Sequence, residues 1–179
     1  MSLWDRLRRW SAGHELPTGC TATLEPGERV IAVAALAGGG HLVLTQLGAW
    51  VPEGAVVRRV GWHLVSKAVW DRRSLLLTEA VSTGTAGQAV LLTDLPPRRF
   101  TLAEPGRVPE VVRERVTRSI RSSQHVRLPG GGAWFVQRRV PGRDGVVLQV
   151  RADPGTAPDA VHQAASNAAA HLPVPESPG

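Results

Sequence analysis

The chain has no tyrosine, two phenylalanines, one cysteine and one lysine among its 179 residues. Each scarcity excludes something. Cys20, being alone, can form no internal disulfide, and it lacks the second thiolate that a redox pair or a thiolate metal site requires. It reads as a structural or incidental thiol. No apolar run approaches the ~20 residues of a membrane-spanning helix. The opening stretch MSLWDRLRRWSAG carries Asp5, Arg6, Arg8 and Arg9 where a secretory signal needs unbroken apolar residues, so a cytoplasmic location is expected. With Lys67 the sole lysine among 21 basic residues, the net charge of +6 is carried by arginine. Arginine suits bidentate phosphate contacts, but its use along the whole chain, beside much Ala, Gly and Pro, points first to a GC-rich coding sequence. Either origin makes association with polyanions physically easy.

Signatures of catalysis are also missing. No serine lies in a G-x-S-x-G elbow. The carboxylates Asp71, Glu79, Asp94 and Glu104 are isolated near strand ends, where solvent exposure is expected. His14, His41, His63, His125, His162 and His171 include no i, i+4 pair and have no Cys or carboxylate at ligand spacing. The glycine-rich turns AGGGH (37–41) and PGGGA (129–133) lack the Lys-Ser/Thr of a phosphate-binding loop and read as hairpin turns. The expectation is therefore a non-enzymatic protein with no catalytic residues, metal, cofactor or evident small-molecule ligand.

What the chain does contain is a regular series of short β-rich runs. RVIAVAAL (29–36), HLVLTQ (41–46), AWVP (49–52), VVRRV (56–60), SKAVW (66–70), LLLTEA (75–80), QAVLLTDL (88–95) and RRFTLAE (98–104) alternate with turn residues. A Gly/Ser/Thr-rich loop is expected between the sixth and seventh. Such spacing predicts a small antiparallel barrel or sandwich. VPEVVRERVTRSIRSS then places Val108, Val112, Val116 and Ile120 at four-residue spacing, with Val111 beside them, as the apolar stripe of one helix. Strands are expected again at HVRL (125–128), AWFVQRRV (133–140) and VVLQVRA (146–152). They precede an Ala-rich helix over about 158–171, with Thr156 and Asp159 as its cap. Before the barrel, Leu3, Trp4, Leu7 and Trp10 share one face of a short helix with Arg6, Arg8 and Arg9 around it, and 13–28 reads as a connector.

The stretches LVLTQLGAWVP, RRVGWHLVSKAVWD and LLLTE, followed by one amphipathic helix, make residues 29–122 resemble the pleckstrin-homology-like (PH-like) superfold, in particular short bacterial PH-like domains. The whole chain also resembles a group of actinobacterial proteins of unknown function in which this middle is followed by a helix, a hairpin and a helix. The resemblance implies an α+β fold: a small antiparallel β-barrel or sandwich closed by one α-helix, with an appended β-hairpin and C-terminal helix. It divides the chain into an N-terminal helix and connector (1–28), a barrel plus helix (29–122), a β-β-α extension (123–172) and a tail (173–179). Val60, Val65, Ala68 and Trp70 would then point inward, Trp62 would sit at a barrel corner, and Lys67 and Asp71 would face solvent. The loop between the first two strands holds no Arg or Lys, so phosphoinositide binding does not carry over.

Three functions remain in view. The first is a protein-protein interaction or assembly module, including self-association, since the superfold commonly serves as a platform; a fold does not establish a function. The second is nucleic-acid binding through Arg113, Arg118, Arg121 and Arg127, because six arginines face only Glu110 and Glu114 between positions 107 and 127. A solvated helix face with Glu-Arg pairs explains the same charges more simply. The third is attachment to a membrane surface through Leu3, Trp4, Leu7 and Trp10.

Overall fold

The computed structural model describes residues 15–172. Strands account for 49% of the described residues. The first four, β1 (Val30–Ala35), β2 (His41–Thr45), β3 (Gly48–Glu53) and β4 (Val56–Gly61), form an antiparallel meander. A 3-10 turn, Trp62–Leu64, leads into β5 (Val65–Asp71), then β6 (Ser74–Ala86), β7 (Ala89–Asp94) and β8 (Arg98–Thr101). β5 and β8 flank the first half of β6, while β7 pairs with its second half. β8 also meets the end of β1: Leu36 bridges Leu102, and the Ala103 N–H donates to the Ala35 carbonyl at 2.9 Å. The two sheets thus curl into a half-barrel, and helix α1 (Val108–Ser119) plugs its end.

Burial alternates along β1 and β5. Leu42, Leu44, Val51, Val60, Val65, Leu75, Leu77, Phe100 and Leu102 enclose Trp62, and α1 adds Val108, Val111 and Val112. Trp62 fills the corner between β4 and β5 where the pattern placed it. It is 1% exposed, and its Nε1 donates to the Thr45 carbonyl at 2.9 Å. Burying ~200 Å² of indole stabilises by at most about 5 kcal/mol.

The valine stripe ends one turn earlier than its spacing suggests. Val116 is half-buried, and Ile120 lies outside the helix, extended and 40% exposed, as the first residue of β9 (Ile120–Leu128). Ser119 explains the stop: its side chain donates back to the Val116 carbonyl and accepts from Arg138, while its own carbonyl accepts from the Arg139 N–H at 2.7 Å. Those bonds satisfy the last turn and release the β-branched Ile120 into a strand. β9 consequently starts well before position 125, and the expected boundary at 122/123 falls inside it.

The final strands extend the second sheet. β10 (Gly131–Arg138) lies between β9 and β11 (Val147–Ala152), and β11 pairs in parallel with β7 through Gln149↔Val90 and Val150↔Leu91. The expected loop at 81–87 is strand as far as Ala86, because Val81, Ser82, Gly84 and Thr85 pair along β7 around a bulge at Thr83. This lengthened β6 runs through both halves of the molecule. Helix α2 (Pro158–Ala170) covers the added strands with a second core of Ala86, Ala89, Ala133, Leu148, Val150, Val161, Ala165 and Ala169. Thr156 does not cap it. Ala157 holds the N-cap position, and the Thr156 hydroxyl instead donates to the Gly132 carbonyl at 2.8 Å and accepts from the Gly132 N–H at 3.0 Å. Those contacts need a bare backbone, since a Cβ at Gly131 would lie 2.6 Å from Thr156 Oγ1.

Candidate functional site

Among the described residues β5 is an edge strand paired with β6 alone, in the register Ala68↔Leu77, Val69↔Leu76 and Trp70↔Leu75. A bulge between Val65 and Lys67 shifts the pleat. After it, Ala68 and Trp70 pack against the barrel core while Lys67, Val69 and Asp71 are exposed, Val69 by 40%. Trp70 is only half-buried. α1 packs against β1, β2, β5, β9 and the 3-10 turn but leaves part of β5 uncovered. Between α1 and β5 lies an open groove of about 1020 Å³, with Ala68, Trp70, Leu75, Val112 and Val116 as its apolar lining. Lys67 and Arg113 stand in the same groove. Its two carboxylates are engaged: Glu114 pairs with Arg118 at 3.3 Å and Glu110 with Arg107 at 3.8 Å. Among the described residues, Lys67 and Arg113 face no carboxylate within salt-bridge distance, so the groove combines apolar walls with two uncompensated cations.

A second cavity, of about 550 Å³, lies at the other end of α1 between Arg115, Arg118, Arg139, Leu47 and the connector residues Glu25–Glu28. Its acids are structural. The Glu28 side chain is fully buried and accepts from Thr45 Oγ1 at 2.6 Å, Trp50 Nε1 at 2.9 Å, Arg59 Nη1 at 2.8 Å and the Glu25 N–H at 2.9 Å. Burial raises its pKa, but these hydrogen bonds and the Arg59 charge outweigh burial and hold the carboxyl below its ordinary value. Glu25 is paired with Arg59 as well.

The seam between barrel and extension holds a buried arginine. Arg138 is 4% exposed, and its guanidinium donates to Ser119 Oγ at 2.7 Å, the Val65 carbonyl at 3.0 Å and the Trp62 carbonyl at 3.3 Å. No carboxylate among the described residues pairs with it. Burial, with a smaller effect from Arg151, brings its pKa down to about 10. His63 lies beside it, and burial first, then the charges of Arg138, Arg143 and Arg59, lower its pKa. Glu79 departs from expectation too: rather than facing solvent, it is buried in a bidentate pair with Arg58 at 2.7 and 2.8 Å that fastens β4 to β6.

The sequence-predicted cations do not gather into one patch. Arg113 lies in the groove, Arg118 at the end of α1 between the two cavities, and Arg121 and Arg127 are exposed on β9. Of the arginines near them in sequence, Arg138 is buried, Arg98 donates to the Pro52 carbonyl and Arg99 pairs with Asp71 at 3.0 Å. Leu3, Trp4, Leu7 and Trp10 lie outside the described residues. The groove itself left one trace in the sequence, Trp70 and Lys67 three residues apart, but the gap under α1 has no sequence signal. Among the described residues no three His, Cys, Asp or Glu side chains meet as a metal site, and no helix is long and apolar enough to cross a membrane. Scans against protein-family models, curated proteins and solved structures return no match to the chain.

Proposed function

We propose that the chain is a non-enzymatic PH-like interaction module that adds an extended segment of a partner protein to the edge of β5. An aliphatic side chain of that segment sits against Trp70, and acidic residues face Lys67 and Arg113. The single observation behind this is an unpaired strand edge running beside an open apolar groove with two uncompensated cations. Main-chain hydrogen bonds along β5 supply affinity and the groove supplies selectivity, as in other β-strand additions. The PH-like assignment is supported by the plan of the barrel: β1 to β4 oppose β5, β6 and the interrupted β7–β8 strand, and one helix follows.

Selection from a displayed library of short linear peptides tests the proposal. The expected result is enrichment of aliphatic residues flanked by Asp or Glu, with binding lost in Trp70→Ala and weakened in Lys67→Glu and Arg113→Glu. Absence of any enriched sequence, or equal binding to wild type and all three variants, rejects it.

A further inference from the structure

The outer face of the added strands carries a second feature, independent of the groove. Trp134 lies in the middle of β10 and remains 42% exposed. Its cross-strand neighbours are His125 on β9 and Arg151 on β11, and Arg127 sits diagonally, opposite Gly132. The sheet's other face is identified by Ser122, Gln124 and Val126, which look toward α2, so His125 and Arg127 share the outer face with Trp134.

The indole is held in place. His125 lies across β10 above Gly132, where a Cβ would come within 2.6 Å of the imidazole, and reaches Asp153 at 2.7 Å. Its ring packs against Trp134 with centroids 5.0 Å apart, tilted by 60°. Arg151 is anchored by both oxygens of Asp94 at 3.1 Å. The two aspartates are thereby used. Arg121, at the bulge where β9 shifts against β10, and Arg127 remain without a carboxylate within salt-bridge distance among the described residues. They stand about 20 Å apart along β9, a span of several nucleotides.

We propose that this face binds single-stranded nucleic acid, with a base stacked on Trp134 and backbone phosphates on Arg121 and Arg127. A single exposed ring amid cations lacks the contiguous apolar centre of a protein interface, but it matches a ligand that alternates aromatic faces with negative charges. A duplex fits less well because its bases are already stacked on one another and closed to Trp134. This assigns Arg121 and Arg127 a ligand distinct from that of Arg113 in the groove.

Anisotropy of labelled single-stranded DNA and RNA, and of a duplex of the same sequence, is to be measured with the full chain at about 50 mM and about 200 mM salt. Single strands are expected to bind more tightly than duplex. Trp134→Ala should weaken them about tenfold or more while Trp134→Phe retains most of the affinity. Arg121→Gln combined with Arg127→Gln should reduce the slope of log affinity against log salt by about 1.4. Absence of binding at the lower salt overturns the proposal. So does equal affinity for duplex and single strand, or a Trp134→Ala protein of native circular dichroism that binds as wild type, which would mark the face as a charge patch only.

Discussion

Under α1 the space is filled by Trp62, Phe100 and a set of leucines and valines; under α2 it is filled mainly by Ala86, Ala89, Ala133, Ala165 and Ala169. Both helices cover one face of a curved sheet, yet they do so at opposite ends of the side-chain size range. α1 packs against β5 yet leaves part of it uncovered, and the groove lies there. Alanines bring α2 close to the sheet: a Cβ added at Gly87, in the β6–β7 turn, would lie only 3.7 Å from Ala169 Cβ. A core of large groups is most sensitive to truncation, whereas a core of methyl groups is most sensitive to enlargement. The same division bears on function, since the candidate groove belongs to the half covered by α1 and the Trp134 face to the sheet that α2 covers from behind.

The largest effect that tests this comparison is truncation of the barrel core. Trp62→Ala should cost about 3–5 kcal/mol in a urea titration, because it empties the corner between β4 and β5 and leaves the Thr45 carbonyl without its indole partner. Since β6 runs through both cores, far-UV circular dichroism should show both halves unfolding together; an intermediate that retains α2 would mean that they are separable units. A smaller effect, of the opposite kind, is expected under α2. Ala165→Leu should cost about 1–3 kcal/mol by overpacking. Hydrogen exchange should accelerate along α2 while the amides of β1 to β4 stay protected. Equal loss of protection in both places would show that the alanine core is not confined to its own half.

The smallest effect concerns the seam. The pKa of His63 is depressed in the folded chain, so below its ordinary value of 6.5 the unfolded chain takes up a proton that the folded chain refuses. Stability is therefore whole at neutral pH and declines as pH falls from 6.5 toward the depressed value. Thermal unfolding followed across that range should show the decline in wild type and a flatter profile in His63→Gln. Glu28 acts lower: its depressed carboxyl stabilises the fold above 4.5, and that contribution is lost only as pH falls below it. An unchanged profile in His63→Gln would remove the seam as the source of the decline.

Most elements were legible because their residues carry the period of the element. Alternation announced the strands, and the four-residue spacing of Val108, Val112 and Val116 announced α1. What escaped was contact between elements distant along the chain. Ile120 continued the helical spacing, and only the bonds joining Ser119 to Arg138 and Arg139 turn it outward. Glu79 looked like a solvent acid because its partner, Arg58, is 21 positions away. Trp134 lies in an expected strand, AWFVQRRV, whose two faces the sequence does not tell apart. Which face of β10 would be covered depends on where α2 docks, so its exposure could not be foreseen.

Residue order alone was enough to specify the alternating strands, the amphipathic helix after them and the excess of arginine, since backbone geometry and hydrophobic periodicity act over a few neighbouring positions. The parallel pairing of β11 with β7, the burial of Arg138, the gap between α1 and β5 and the outward-facing indole arose only when remote segments came together. Packing and desolvation depend on which surfaces meet, and no local pattern of side chains encodes that meeting.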